Sequence, residues 1–290
     1  HHNLSVVCFV DSDPAFSKTC VAGLPVYQPS LLYEKIKSEN WNPLIIIAAA
    51  LKETEILASL KKFNLDTYSF FSFQSKDSPY FTVDILGSCN LACGSCPHSI
   101  VGHGVPRGSM DFPKVKQVVD KIKFESPDTT HISLYSWGEP LLHPKVPEIV
   151  DYVHQHGMAV ALSSNLSLNF EDRIEKLVRS EPEYLKISVS GFFPKAYNAT
   201  HQGGDINLVK SNLYRIRHYM DKHKSNILVD INYHLYRDNN GQNLEKFKLL
   251  AKELGFILST TYALVMPLER VIDHLDGKPD RQTISLQENL

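Results

Sequence analysis

Three of the chain's five cysteines, Cys89, Cys93 and Cys96, fall within eight residues in the segment "GSCNLACGSCPHS" (87–99). On a continuous helix the spacing C-x3-C-x2-C would put all three on one face, as buried packing groups. The surrounding residues oppose a helix: Gly87, Gly94 and Pro97 bracket and interrupt the run, and Ser88, Asn90 and Ser95 favour turns. A loop that turns three thiolates inward suits a metal, as zinc or as an iron–sulfur cluster. Three ligands leave one position open, which fits chemistry better than a closed structural site. The odd cysteine count and lopsided spacing do not describe a disulfide framework.

The elements that must position this loop are legible from periodicity. Beyond "FSFQSKDSPY" (71–80), strand patterns recur at "FTVDIL" (81–86), "HISLY" (131–135), "MAVALSS" (158–164), "YLKISVS" (184–190), "ILVDINYHL" (227–235) and "FILSTTYAL" (256–264). Helical patterns lie between them at 111–124, 145–156, 170–180, 207–223 and 243–254. Asp111 with Pro113, and Asn243 before Leu244, read as helix starts. Six strands separated by helices predict an α/β fold with parallel strands and right-handed crossovers. Sites on such scaffolds lie at the carboxyl ends of the strands. The cysteine segment follows the first strand directly. Ahead of the joint, strands at 4–10 and 43–50 and helices at 30–39 and 54–63 predict a second, smaller α/β unit.

Composition narrows the function. With 30 Lys and Arg against 32 Asp and Glu, the formal charge is −2 across 290 residues, so nothing asks for nucleic acid or an anionic membrane as partner. The apolar run "PLIIIAAAL" (43–51) is far too short to span a bilayer. No export signal is recognised, so a cytoplasmic location is expected, where thiols stay reduced.

The cysteine spacing resembles that of the radical S-adenosylmethionine (radical SAM) family, and the resemblance extends over about 80–266. "WGEP" (137–140) after the second strand is similar to the family's GGEP motif, with Trp137 in place of the first glycine. "SSNL" (163–166) after the third strand is similar to its T-N-G-type segment, and "ISVSG" (187–191) to its fourth-strand ribose motif. The longer phrases "CNLACGSCP" and "YSWGEPLLHP" resemble a subgroup often extended by a C-terminal SPASM-type cysteine region, and no such cysteines follow Cys96. Where the family usually has an aromatic before the third cysteine, near the adenine, this chain has Ser95.

The resemblance implies a partial (β/α)6 TIM-like barrel over 80–266, followed by an extension over 267–290. It implies a [4Fe-4S] cluster on Cys89, Cys93 and Cys96, with S-adenosylmethionine on the open iron. The Gly138–Glu139–Pro140 backbone would meet the methionine ammonium, and Ser164 and Asn165 would lie near the methionine carboxylate or ribose. Ser188 and Ser190 share a strand face toward the ribose, and Leu264 or Val265 would cover the space left by Ser95. Tyr135 and Tyr236, at strand ends, are candidate hydrogen-atom donors; Tyr197, His201 and His234 are polar groups of the same rim. The implied partners are a small-molecule or peptide substrate, sugar- or nucleotide-linked in one version, and an electron donor such as flavodoxin or ferredoxin. An activase that makes a glycyl radical on a partner protein, and a nucleotide-sensing scaffold with a redox cluster, are the rival readings.

Residues 1–75 carry a second resemblance. "VVCFVDSDP" (6–14) followed by "VAGLPVYQPSLL" (21–32) is similar to the nucleotide-binding unit of sugar-nucleotide acyltransferases. That implies a Rossmann-like α/β domain without its first strand and glycine-rich loop, with Asp11 as the acid near a nucleotide ribose.

Overall fold

A computed structural model describes residues 6–16, 19–21, 23–48, 52–71, 79–100, 107–169 and 173–262, with isolated positions beyond. The chain divides into two compact units, residues 1–78 and 79–290.

The first unit holds β1 (Phe9–Val10), β2 (Cys20–Val21), β3 (Leu24–Tyr27), α1 (Pro29–Ser38), β4 (Ile45–Ile46), α2 (Glu53–Lys62) and β5 (Phe70–Phe71). β1 runs parallel to β3, β2 runs antiparallel to β3, and β4 pairs with β5 in a separate parallel sheet. Leu32 and Ile36 of α1 and Leu60 of α2 close a small core with Ile47 and Leu65. Both helices match their expected bounds because their apolar residues recur at helical spacing. The strands do not match. Only Phe9–Val10 of the expected 4–10 strand pairs, and both residues are exposed. The Rossmann-like expectation is therefore not supported: the described strands form two short sheets, one with an antiparallel pair, rather than one parallel sheet. Asp11 is exposed, and its Oδ1 accepts the backbone N–H of Asp13.

The second unit is a six-stranded parallel sheet with sequential order. Its strands are β6 (Phe81–Thr82), β7 (His131–Ser133), β8 (Ala159–Ser164), β9 (Tyr184–Val189), β10 (Leu228–Leu235) and β11 (Ile257–Tyr262). The connecting helices are α3 (Pro97–Ile100), α4 (Phe112–Glu125), α5 (Val146–Gln155), α6 (Arg173–Arg179), α7 (Pro194–Thr200), α8 (Ile206–His223) and α9 (Gln242–Leu254). Apolar residues alternate along β8, β9 and β10. Leu185, Ile187 and Val189 of β9 are fully buried against Val209, Leu213 and Ile216 of α8 in one continuous core. The other strand face, with Lys186 and Ser188 on β9 and Asn232 and His234 on β10, is turned the opposite way. Pairing of β6 covers only two residues, so its predicted span was too long. Its continuation makes an isolated bridge, Leu86 to Ser109, and leads into the cysteine loop.

Asp111 caps α4 as expected, its Oδ1 accepting the Lys114 N–H. Asn243 does not cap α9, which begins after Gly241; instead Asn243 Oδ1 accepts the N–H groups of Phe192 and Phe193 and ties down the loop after β9. α7 was not anticipated, because seven residues give too few turns for a periodic signal. Among the described residues, no helix is long and apolar enough to cross a membrane.

Candidate functional site

At the carboxyl ends of the strands lies a cavity of about 350 Å³. Every strand of the sheet except β6 lines it directly or through the residues just beyond its end, and β6 supplies the cysteine loop. Cys89, Cys93 and Cys96 all line it. So do Tyr135, Trp137, Gly138 and Glu139 after β7, and Ser163, Ser164 and Asn165 at the end of β8. Lys186 and Ser188 enter from β9, His234 and Tyr236 from β10, and Thr261 from β11. A smaller side pocket of about 170 Å³ shares Ser95, Thr200 and Tyr236 with it and adds Ala196, Ala199 and Asp238.

The loop after β7 approaches the cysteine loop at backbone distance. A Cβ on Gly138 would stand 1.7 Å from the Leu86 carbonyl oxygen, so only glycine fits there. Glu139 donates its N–H to Ser88 O at 2.8 Å. Its side chain, 2% exposed, accepts the Leu141 N–H at 3.1 Å and the Asn165 N–H at 2.7 Å. Burial pushes its carboxyl up to about 7, against hydrogen bonds from Asn165, Ser164 and Leu141 that favour the ionised form. Glu139 therefore caps the short helical turn Pro140–Leu142 and joins the loops after β7 and β8.

The turn after β8 is held just as tightly. Leu166 adopts a left-handed φ of 53°, the conformation for which a T-N-G-type pattern supplies glycine. Ser164 Oγ accepts the Leu166 N–H at 2.9 Å, and Asn212 Nδ2 donates to Leu166 O at 3.0 Å. These bonds hold a bulky residue in a costly conformation at the edge of the cavity.

The three thiols share this cavity, each partly buried. Burial pushes each of them up, Cys93 to about 12, and the approach of negative groups adds to the rise at Cys89 and Cys93. Three partly buried thiols that repel one another as thiolates fit a cationic metal centre, which deprotonates coordinating sulfur outright. Among the described residues, no three His, Cys, Asp or Glu side chains stand close enough to share one ion. An iron–sulfur cluster gives each cysteine its own iron, so the sulfurs need only surround a common space. Fully buried helical packing is excluded too, since the cysteines lie in a loop and line a cavity.

Residues 83–235 match the radical SAM superfamily. The chain belongs to that family. Members of the radical SAM superfamily are enzymes that use an iron–sulfur cluster and S-adenosylmethionine. The chain is 26% identical over 183 residues to the AdoMet-dependent heme synthase of Methanosarcina barkeri, covering 63% of this chain and 49% of that protein. It is 25% identical over 157 residues to the tungsten-containing aldehyde ferredoxin oxidoreductase cofactor-modifying protein of Pyrococcus furiosus, covering 52% of this chain and 43% of that one. It spans about half the length of the curated relatives it matches. Among solved structures, Streptococcus suis SuiB bound to its precursor peptide SuiA superposes with a TM-score of 0.52 at 14% identity, over 73% of this chain and 43% of that one. That likeness is one of fold.

Within the radical SAM barrel, the expected residues separate into two groups. Cys89, Cys93, Cys96, Tyr135, Gly138, Glu139, Ser164, Asn165, Ser188 and Tyr236 come together around the cavity. Ser190 does not join them. It is fully buried, and its Oγ bonds to Thr200 Oγ1 and to His201 Nδ1, so it buttresses the rim from behind. Pro140 is buried as the first residue of its helical turn. Leu264 and Val265 lie outside the described residues. Burial holds His201 and His234 well below the usual imidazole range, at about 3 and about 4, so both are neutral walls.

Sequence reasoning assigned no role at the site to Lys186 or Asn90. Lys186 is the only Lys or Arg among the described residues that line the cavity, with Nζ 5.0 Å from the Tyr135 ring centroid. Burial pulls its ammonium down, opposed by Asp230. Its two-residue offset from Ser188 was the available signal. Asn90 carried no signal beyond its place between cysteines, yet its side chain contacts both Asn165 and Ser167.

Proposed function

We propose that this chain is a radical SAM enzyme that carries a [4Fe-4S] cluster on Cys89, Cys93 and Cys96 and binds S-adenosylmethionine in the cavity at the carboxyl ends of the strands. The observation that carries the reading is the convergence of three partly buried thiols, Gly138 and Glu139, Ser164 and Ser188 on that one cavity. When bound, the cluster and S-adenosylmethionine supply a one-electron cleavage that gives a hydrogen-abstracting 5′-deoxyadenosyl radical.

The chain's own residues do the rest. Cys89, Cys93 and Cys96, all on the cavity wall, would hold the cluster through their thiolates. Backbone groups of Gly138–Pro140 stand nearest the cysteine loop, in reach of a cofactor's amino-acid end. Ser188, on the inward face of β9, offers a hydroxyl for a ribose. Tyr135 and Tyr236, whose phenols burial keeps protonated, are placed to return a hydrogen atom to substrate. Buried apolar strands beneath the cavity keep bulk water from a reactive intermediate.

The substrate is a small molecule or a peptide, with Lys186 available to an anionic group on it. The relatives are consistent with either class: two are a heme synthase and a cofactor-modifying protein, and SuiB is seen with a precursor peptide. A low-potential donor such as flavodoxin or ferredoxin would deliver the electron, in a reducing compartment such as the cytoplasm.

The test is anaerobic reconstitution. About four irons per chain are expected, lost when Cys89, Cys93 and Cys96 are changed together to Ala and kept in Cys8→Ala and Cys20→Ala. With S-adenosylmethionine and dithionite the wild type should release 5′-deoxyadenosine and methionine. A triple variant that retains a full cluster would overturn the assignment. A loaded protein that releases no 5′-deoxyadenosine would favour a redox scaffold.

A further inference from the structure

We infer that Asn165 is a tuning residue for the cluster, holding its reduction potential up through an N–H···S hydrogen bond to Cys89. The inference rests on the cluster assignment above.

The side-chain amide of Asn165 has no donor to spare. One N–H of Nδ2 points to Cys89 Sγ at 3.7 Å and the other to Asn90 Oδ1 at 3.0 Å. Its Oδ1 accepts the Ser167 N–H at 2.8 Å, which fixes the amide's orientation and leaves the nitrogen facing the sulfur. Its own backbone N–H is taken by Glu139. A second clamp closes the arrangement, with Asn90 Nδ2 donating to Ser167 O at 2.9 Å. Only 8% of the residue is exposed. An amide with both N–H groups committed to the protein is poorly placed to hold the carboxylate or ribose of a cofactor, and well placed to act on sulfur.

The backbone N–H of Leu91 also donates to Cys89 Sγ, at 3.4 Å, so this sulfur receives two donors from the chain. Reduction of a cluster adds negative charge that is shared with its sulfur ligands. A donor aimed at such a sulfur stabilises the reduced state more than the oxidised one and raises the potential. The strained turn at Leu166 belongs to the same device, because it follows Asn165 directly and is bonded in place from both sides.

The experiment is an EPR-monitored redox titration of reconstituted protein without S-adenosylmethionine, with iron content checked in each sample. Asn165→Asp keeps the acceptor to Ser167 and replaces the donor by an oxygen. At a fixed applied potential its ratio of reduced to oxidised cluster should fall about tenfold, a shift of about 59 mV to more negative potential for a one-electron couple. Asn165→Ala should shift the same way by less, and serves where the aspartate variant does not take up iron. Asn90→Ala removes both of the bonds that Asn90 makes to Asn165 and Ser167 but leaves the donor of the N–H···S contact, which Ser167 still orients through Asn165 Oδ1, so its potential should stay near wild type. An unchanged potential in both Asn165 variants would overturn the inference while leaving the cluster assignment intact. A shift in Asn90→Ala equal to that in Asn165→Asp would overturn it as well, since loop rearrangement would then be the cause. Failure of the wild type to load a cluster would instead sink the proposed function.

Discussion

Glu139 Oε2 lies 2.7 Å from the backbone nitrogen of Asn165, so one buried carboxylate ties the loop after β7 to the loop after β8. Burial raises that carboxyl from an ordinary 4.5 to about 7, which makes the tie pH-dependent. An acid whose value is raised on folding stabilises fully below its unfolded value, and that contribution is lost as pH rises through the folded one. Cluster-free wild type should therefore lose stability relative to Glu139→Gln between about pH 4.5 and 7, by no more than about 3 kcal/mol at 1.36 kcal/mol per unit. Urea denaturation across that range measures it. Parallel pH profiles for the two proteins would mean that the carboxyl titrates normally.

Gly138 makes a sterically exact claim on its position. A methyl group there would meet the Leu86 carbonyl at 1.7 Å, and backbone cannot yield as a flexible side chain can. Gly138→Ala should push the Gly138–Pro140 turn away from the cysteine loop. The expected signature is a large loss of iron uptake with near-normal helical circular dichroism, because the long helices α4, α5, α8 and α9 lie outside the two clashing loops. Full iron loading in this variant would show that the two loops need not touch.

Ser95 Oγ stands 2.9 Å from Tyr236 Oη, in the place where the family's aromatic residue usually precedes the third cysteine. Tyr236, which follows β10, thus brings its ring near Ser95 and is the candidate to cover that space. Truncating it in Tyr236→Ala should weaken S-adenosylmethionine binding about tenfold, roughly the 1.4 kcal/mol of one aromatic contact. Tyr236→Phe keeps the ring and should bind within about twofold of wild type. Calorimetry on reconstituted protein separates these outcomes, and equal binding by the alanine variant would place the adenine elsewhere.

A partly buried pair outside the cavity gives a pH test of the scaffold. Glu183 Oε2 accepts the Val160 N–H of β8 at 2.7 Å and lies 3.1 Å from His154 Nε2 of α5. Burial works against the Glu183 carboxylate, yet hydrogen bonds from His154 and Val160 outweigh it and lower its value, while the same bond raises His154. The Glu183 contribution is present above about 4.5 and lost as pH falls through its depressed value. That of His154 is present below about 6.5 and lost as pH rises through its elevated value. Both side chains are partly exposed, so solvent screening limits the pair to about 1 kcal/mol or less. Glu183→Gln should flatten the pH profile of the melting temperature on both sides, and an unaltered profile would remove the pair from the balance.

The barrel was legible because strands such as β8 and β9 alternate strictly and the helices between them carry apolar stripes. β6 was over-read, since "FTVDIL" alternates like a strand although its chain leaves the sheet after Thr82 to form the cysteine loop. The cysteines were legible from spacing and turn residues alone. The function of Asn165 was not, because an amide's donors are assigned only when their partners are in place, and Asn90 stands 75 positions away in the chain. Ser188 and Ser190 looked equivalent by alternation. They part company because β9 ends at Val189, after which the chain turns and Ser190 faces Thr200 and His201 instead of the cavity. In the first unit, short strands with exposed residues leave no periodic signal strong enough to separate a Rossmann-like sheet from two small ones.

The sequential order of the six strands also fixes a timetable. The cysteine loop leaves the ribosome with β6, while Asn165, which bonds to Cys89, follows 76 residues later. At about 5–20 residues per second that interval is roughly 4–15 s. For that time the three thiols have been made but the wall that shelters them has not. Oxidants and stray metal ions therefore meet the nascent chain at its most reactive segment, and the yield of correctly metallated protein should depend on how reducing the cell is while translation is still under way.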